Sequence, residues 1–201
     1  MTQVDNSTFI EKKTIRLKAL DLIDETPIVM ETHGGKGEIY NACYWNMDTG
    51  IVFEKLPDKA DVLAKQRPSW RVYEADCEVA LKNGIGADLP ITLLDIDPYG
   101  EPWHVIDAFF TSERAFASKM VVVVNDGLRQ KLRIKSDNVQ SMQGMVLKYG
   151  NKLAARYLQV CRELMEAKVG QAGYSMTDFR GYYCGNLKAI THYYASLNRG
   201  N

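Results

Sequence analysis

Residues 91–103, Ile-Thr-Leu-Leu-Asp-Ile-Asp-Pro-Tyr-Gly-Glu-Pro-Trp, run an apolar stretch into an acid, a proline, an aromatic and a glycine. A strand ending this way delivers the Asp97 carboxylate and the flat ring of Tyr99 to the edge of a sheet, as an active-site tip does. The plain structural alternative is that Asp97 caps the next helix and Tyr99 packs under a loop. Three earlier apolar runs also end in acids, at Glu31, Glu54 and Asp76. In an open α/β sheet, ligands bind beyond the carboxyl ends of the strands, so four such ends in succession mark that edge as the candidate site.

Between the first two acids lies Glu31-Thr32-His33-Gly34-Gly35-Lys36-Gly37. Glycines let the backbone approach a ligand and adopt positive φ, and the helix that follows offers free N–H groups. The turn is no P-loop, because glycine stands where Ser or Thr must hold magnesium. Gly35-x-Gly37 begins a dinucleotide fingerprint, but Tyr40 replaces its third glycine. Glu54 is placed to accept hydrogen bonds from both hydroxyls of a ribose, and Asp76 to accept one from an adenine amino group. These residues describe an adenosine site without a demand for phosphate, and acidic surroundings favour a cationic sulfonium over a pyrophosphate.

The elements that must position these groups follow from periodicity. Thr8-Phe9-Ile10-Glu11 fits a capping box opening a helix from about Phe9 to Leu22. Strands are expected at Pro27–Met30, Ile51–Phe53, Trp70–Tyr73, Ile91–Asp97 and Lys119–Asn125. Helices are expected at Glu38–Trp45, Asp58–Gln66, Cys77–Lys82, Glu101 to about Phe116 and Leu147–Lys168. Gly173–Cys184 and Ala189–Asn198 read as an antiparallel hairpin around Gly185-Asn186. Alternating strands and helices imply a mostly parallel sheet with helices on both faces.

The chain has 201 residues, 46% of them apolar, and no Gly/Ser/Pro-rich stretch divides it, so one domain over residues 1–201 is expected. Its 25 Lys and Arg balance 25 Asp and Glu, so any attraction for polyanions must be local. Cys43, Cys77, Cys161 and Cys184 lie far apart without metal-ligand spacing, which argues against zinc and for reduced, mostly core thiols. The first residues lack a signal design and Met120–Val124 is too short to span a bilayer. A cytoplasmic protein with no membrane partner and no metal is expected.

The motifs resemble those of class I S-adenosylmethionine-dependent methyltransferases, and within them the amino-group methyltransferases of nucleic acids. The turn 31–37 is similar to their acid-Pro-Phe-x-Gly-x-Gly motif, with Thr32 and His33 in place of Pro-Phe. Asp97-Pro98-Tyr99-Gly100 is similar to their Asp/Asn/Ser-Pro-Pro-aromatic motif. Leu94–Pro102 is closer still to the Asp-Pro-Phe-Gly-x-Pro segment of tRNA N2,N2-dimethylguanosine methyltransferases. The layout from about Phe9 to Asn198 is covered, the sharp motifs amounting to about a dozen residues.

The resemblance implies a Rossmann-like methyltransferase fold: a mostly parallel seven-stranded sheet with a C-terminal antiparallel hairpin. It implies S-adenosyl-L-methionine as cofactor, with Glu31, His33, Gly35, Gly37, Glu54, Lys55, Asp76 and Asp97 around it. Asp97, Pro98 and Tyr99 would be catalytic in a direct transfer to an exocyclic amino nitrogen of a base. An aromatic amine is a poor nucleophile because its lone pair is delocalised into the ring. Asp97 and the Pro98 carbonyl accepting its hydrogens would hold the nitrogen in line and stabilise the developing charge. Tyr99 would stack on a base that is single-stranded or flipped. Guanine N2 in RNA is expected first, adenine N6 or cytosine N4 in DNA second.

Residues 119–156 set Lys119, Arg129, Lys131, Arg133, Lys135, Lys148, Lys152 and Arg156 against Asp126 and Asp137, a net charge of +6. This stretch can grip nucleic-acid phosphates or be a solvated charged face. A partner protein or a homo-oligomer is another source of target recognition. Trp103 and His104 border the tetrad, although Trp103 reads better as core and His104 and His192 as ordinary packed or surface residues. Tyr174, Phe179, Tyr182, Tyr183, Tyr193 and Tyr194 stack bases or, at strand spacing, pack the sheet. Two rival readings are a non-catalytic S-adenosylmethionine-binding module, which would not need the tetrad, and a nicotinamide-dependent oxidoreductase, which the missing third glycine disfavours.

Overall fold

The computed structural model describes residues 8–134 and 140–200. Residues 1–7, where the sequence was read as lacking a signal design, and Lys135 and Asp137 of the basic stretch, lie outside the described residues.

Seven strands form one sheet: β1 (Val29–Glu31), β2 (Gly50–Glu54), β3 (Arg71–Glu74), β4 (Ile91–Ile96), β5 (Phe116–Asp126), β6 (Tyr174–Cys184) and β7 (Ile190–Arg199). Their order is β3-β2-β1-β4-β5-β7-β6, parallel from β3 to β5, with β7 inserted antiparallel between β5 and β6. The central strands are buried on both faces, which is why Ile91, Leu93, Leu94 and Ile96 of β4 and Val121–Val124 of β5 are apolar without alternation, Thr92 and Asp95 being buried polar exceptions. On one face Met30, Phe53, Leu94, Val122, Trp103 and Tyr193 form a core with α3 (Cys77–Lys82), α4 (Trp103–Thr111) and α7 (Tyr157–Gln171). On the other, Val29, Val52, Leu93 and Val123 pack with α1 (Phe9–Leu20) and α2 (Pro57–Gln66). α5 (Leu128–Ile134) and α6 (Gln143–Tyr149) follow β5.

Three expected helices and one expected cap differ. The helix expected from Glu38 to Trp45 is present over 38–44 but is π-helical over Tyr40–Tyr44, which buries Tyr40, Cys43 and Tyr44 together, with Tyr40 edge-on to Trp70 and Tyr44 reaching Asp95. The helix expected to reach Phe116 stops at Thr111, because Phe116 opens β5 and packs among Phe109, Phe110 and Tyr174. The long helix expected over Leu147–Lys168 is broken at Gly150, whose φ of +52° leaves the helical region, and α7 starts afresh at Tyr157. Thr8 makes no side-chain cap; it is buried instead.

One buried network ties α1 to the sheet. The Arg16 guanidinium grips Asp95 with two hydrogen bonds, Nε to Oδ2 at 2.7 Å and Nη2 to Oδ1 at 2.6 Å, and the Tyr44 hydroxyl donates to Oδ2 at 2.8 Å. Removing one partner of a fully buried pair strands the other charge. Asp95→Ala is therefore expected to cost about 3–5 kcal/mol in urea unfolding, whereas the double change Arg16→Met with Asp95→Leu recovers most of it. On the opposite face Asp126, at the end of β5, accepts from the Leu128 N–H at 2.7 Å and the Tyr157 hydroxyl at 2.8 Å. Burial pushes its pKa up to about 7. The protonated form is favoured in the folded chain, so this contribution is full below the ordinary carboxylate range and is lost as pH rises through about 7. Thermal melts between pH 4 and 8 should show Asp126→Asn flattening that part of the profile.

Candidate functional site

The chain runs from β1 outward to β3, then returns across β1 to β4, so the strand order reverses between β1 and β4. Both the glycine turn and the tetrad leave the sheet at this switch point. The turn bridges the neighbouring strand ends: the Thr32 N–H donates to the Asp95 carbonyl at 3.0 Å and the Gly34 N–H to the Phe53 carbonyl at 2.9 Å. Gly35 and Gly37 have φ of +56° and +79°. A side chain at Gly37 would meet Gln66 at 2.1 Å, while one at Gly35 would point into open space. Bare backbone facing a void beside a carboxylate is the surface a ligand approaches closely.

That carboxylate is Glu54. It is buried, its Oε2 accepting from the Gly35 N–H at 2.8 Å and its Oε1 from the Leu56 N–H at 3.0 Å. Two backbone bonds leave lone pairs on both oxygens for a vicinal diol. Asp76 caps α3, accepting from the Glu78 and Val79 amides at 3.1 and 3.4 Å, while Lys55 reaches its other oxygen at 3.2 Å. Burial opposes its charge, but Lys55 and the α3 amides outweigh it and hold the pKa below the usual range. The Thr32 hydroxyl lies 3.1 Å from the Asp95 carbonyl and is hydrogen-bonded with His33 Nδ1 at 2.8 Å. His33 Nε2 then faces the Cys77 thiol at 3.6 Å, and burial lowers the imidazole pKa, leaving it neutral. Glu31 sits beneath the turn with its carboxylate committed to Arg67, whose guanidinium lies 4.2 Å from the Tyr40 ring centroid.

Asp97 follows β4 on the α1 face. Lys12 Nζ donates to its two oxygens at 3.0 and 2.9 Å, Arg16 Nη2 lies 3.5 Å away and the Asn125 amide nitrogen also donates to it. Burial pushes the pKa up, but Arg16, Lys12 and the Asn125 bond prevail and hold it below the ordinary range, so Asp97 is ionised. It is 18% exposed and does not cap α4, which has no side-chain cap. Pro98 is half-buried and Tyr99 fully exposed, its ring free to stack. Gly100, at φ +121°, accepts from the Gly127 N–H at 3.0 Å and has Lys131 Nζ 3.0 Å from where a side chain would begin.

The structure thus places His33, Gly35, Gly37, Glu54, Lys55 and Asp76 beyond the ends of β1, β2 and β3, and Asp97, Pro98 and Tyr99 beyond the end of the neighbouring β4. Sequence reasoning missed Lys12, Arg16, Arg67 and Asn125. The first two leave one trace: they stand four apart on a helix. The described basic residues of this stretch have separate partners. Lys119, near the start of β5, pairs with Asp24 at 3.5 Å. Arg129 and Arg133 bind carbonyls of the turn before β7. Lys152 and Arg156 line a cavity of about 430 Å³ with Lys148, Tyr149, Gln159 and Glu163. Trp103 and His192 are fully buried, His104 is exposed, and Phe179 and Tyr193 pack against each other at 5.4 Å. No helix among the described residues is long and apolar enough to cross a membrane.

Neither a protein-family model nor a curated protein matches the sequence. Solved structures do match the fold. Trm1 from Pyrococcus horikoshii, solved with S-adenosyl-L-methionine, aligns with TM-score 0.72 at 9% identity over 98% of this chain and 57% of its own. M. jannaschii TYW2, solved with AdoMet, aligns at 0.62 and 13% over 100% of this chain and 79% of its own. The N-methyltransferase NodS from Bradyrhizobium japonicum, solved with S-adenosyl-l-homocysteine, aligns at 0.60 and 10% over 98% and 90%. With its strand order and antiparallel β7, this chain has the Rossmann-like methyltransferase fold.

Proposed function

We propose that this protein is an S-adenosylmethionine-dependent methyltransferase acting on an exocyclic amino group of a nucleic-acid base, guanine N2 in RNA ahead of DNA adenine N6 or cytosine N4. The observation that carries this reading is the Asp97-Pro98-Tyr99-Gly100 tip at the switch point, with an ionised carboxylate beside a fully exposed ring. The open backbone at Gly35 and the spare lone pairs of Glu54 suit the adenosyl part of the donor. Gly35 and Gly37 would line it, Glu54 would hold the ribose hydroxyls and Asp76 the adenine amino group. His33 and Lys55 would border it, and Glu31 would support the turn through Arg67. When bound, S-adenosylmethionine supplies a methyl group on a cationic sulfur.

The chain's own residues then have definite tasks. The substrate amine takes over from Lys12 at Asp97, donating a hydrogen to the carboxylate and another to the Pro98 carbonyl. This holds its lone pair in line and offsets the positive charge the nitrogen acquires. The nitrogen afterwards releases a proton to water. Tyr99 stacks on the unpaired base, and Lys131 borders the tip where a phosphate would pass.

The Lys12–Asp97 pair favours a second reading, a non-catalytic donor-binding module, because both Asp97 oxygens already hold a cation. Radiolabelled methyl transfer onto total RNA, DNA and protein separates the two. Label in a nucleoside that disappears with Asp97→Ala, while S-adenosylhomocysteine binding persists, supports the enzyme; no label in any fraction supports the module. Transfer is expected to fall by at least about a hundredfold in Asp97→Ala. Glu54→Ala is expected to weaken S-adenosylhomocysteine binding by roughly tenfold or more in calorimetry, since hydrogen bonds to a charged group are lost. Tyr99→Ala is expected to raise KM by about five- to a hundredfold with little change in kcat, the signature of lost stacking.

A further inference from the structure

A circuit of contacts leads from the tetrad round to Asp97 again. It passes first to α5: the Gly127 N–H donates to the Gly100 carbonyl at 3.0 Å, and Lys131 Nζ lies 3.0 Å from where a side chain at Gly100 would begin. From α5 it passes to the β6–β7 turn, where Arg133 donates to the Leu187 carbonyl at 3.0 Å and Arg129 to that of Lys188. The turn in turn meets the start of α1, for Thr8 lies 3.5 Å from where a side chain at Gly185 would begin, and the Tyr182 hydroxyl donates to the Glu11 carbonyl at 2.7 Å. Lys12 closes the circuit on Asp97. The β6–β7 turn is therefore part of the rim around Asp97, with α5 between it and the tetrad. Leu187 and Lys188, at this turn, have φ of +51° and +55°, the left-handed region that side chains other than glycine enter at a cost. Leu187 is also 76% exposed, so burial of its side chain does not offset that cost. Strained backbone of this kind persists where the surrounding structure holds it, as Arg129 and Arg133 hold these two carbonyls, and it gathers at ligand sites.

We propose that the β6–β7 turn is a second contact site for the nucleic acid, with Leu187 packing on a base next to the target while the exposed cations Lys131 and Lys188 bind the phosphates around it. The inference rests on the base-methylating reading of the site. α5 separates the turn from the tetrad by a helix's width, about 10–12 Å. That is roughly three times the ~3.4 Å between successive bases of one strand, so the turn reaches a neighbour rather than the base that Tyr99 holds. Burial of a leucine against the flat face of a base is non-directional and fits any neighbouring base. The substrate is then a strand of several nucleotides and not a free nucleoside.

The test titrates single-stranded five-nucleotide RNAs with a central guanosine into the full chain saturated with S-adenosylhomocysteine, each nucleotide beside the guanosine being either a uridine or an abasic ribose. Wild-type protein is expected to bind roughly five- to twentyfold more weakly when one of the two neighbours is abasic, because an apolar side chain loses the base that covers it. Leu187→Gly relaxes the left-handed backbone, so it is expected to melt about 1–4 °C higher and yet lose the sensitivity to the abasic neighbour, whereas Leu187→Met keeps that sensitivity. A purely structural role would not couple higher stability to weaker binding. Equal binding of the complete and abasic RNAs by wild-type protein overturns the role of Leu187 without any variant having to fold, and leaves the base-methylating reading standing. Sensitivity retained in Leu187→Gly overturns it as well. If neither these RNAs nor single-stranded DNAs with a central adenosine or cytosine bind although S-adenosylhomocysteine does, that reading falls and this inference with it.

Discussion

The structure is organised by two carboxylates meeting two cations in register. Asp95 and Asp97 are two residues apart along a strand direction, about 6.6 Å. Lys12 and Arg16 are four apart on a helix, about 6 Å along its axis. Arg16 meets Asp95 and Lys12 meets Asp97, so α1 runs antiparallel to β4 and the two spacings nearly coincide. Asp95 also anchors what surrounds it: its side chain accepts from Tyr44 and its carbonyl from the backbone and hydroxyl of Thr32. The first helix, the π-helical turn, the glycine turn and the tetrad are thus all referenced to one residue of β4.

The two pairs differ in permanence, and that difference divides structure from function. Arg16 and Asp95 are almost fully buried and share a two-bond fork, so neither can leave without stranding a charge. Lys12 and Asp97 are each about one-fifth exposed, and an ammonium is a point charge that water or another donor can replace. One turn of α1 therefore carries a fixed anchor and an exchangeable one. The exchangeable partner is the carboxylate next to the exposed Tyr99.

The carboxylates beyond β2 and β3 are held in fixed positions. Glu54 is held by two backbone amides and Asp76 by two amides at the start of α3, so both side chains have already given up most of their freedom. Glu31 is spent differently. Its pairing with the stacked Arg67 lies below the turn and braces β1 against the end of α2.

The sequence by itself determined the alternation of strands and helices, the terminal hairpin and the delivery of Glu31, Glu54, Asp76 and Asp97 to one edge. All of these follow from local periodicity and from the rule that parallel strands point their ends the same way. It did not show that Gly150 breaks the last long helix, since one glycine inside an apolar stripe leaves the periodicity intact. Nor did it distinguish among the four acids. Strand ends look alike in sequence, yet one pairs with Arg67, one takes backbone amides, one caps a helix and one meets Lys12 and Asn125. Those partners lie up to 85 residues away along the chain. Only the folded sheet, with α1 laid across β4 and β5, brings them within hydrogen-bond reach.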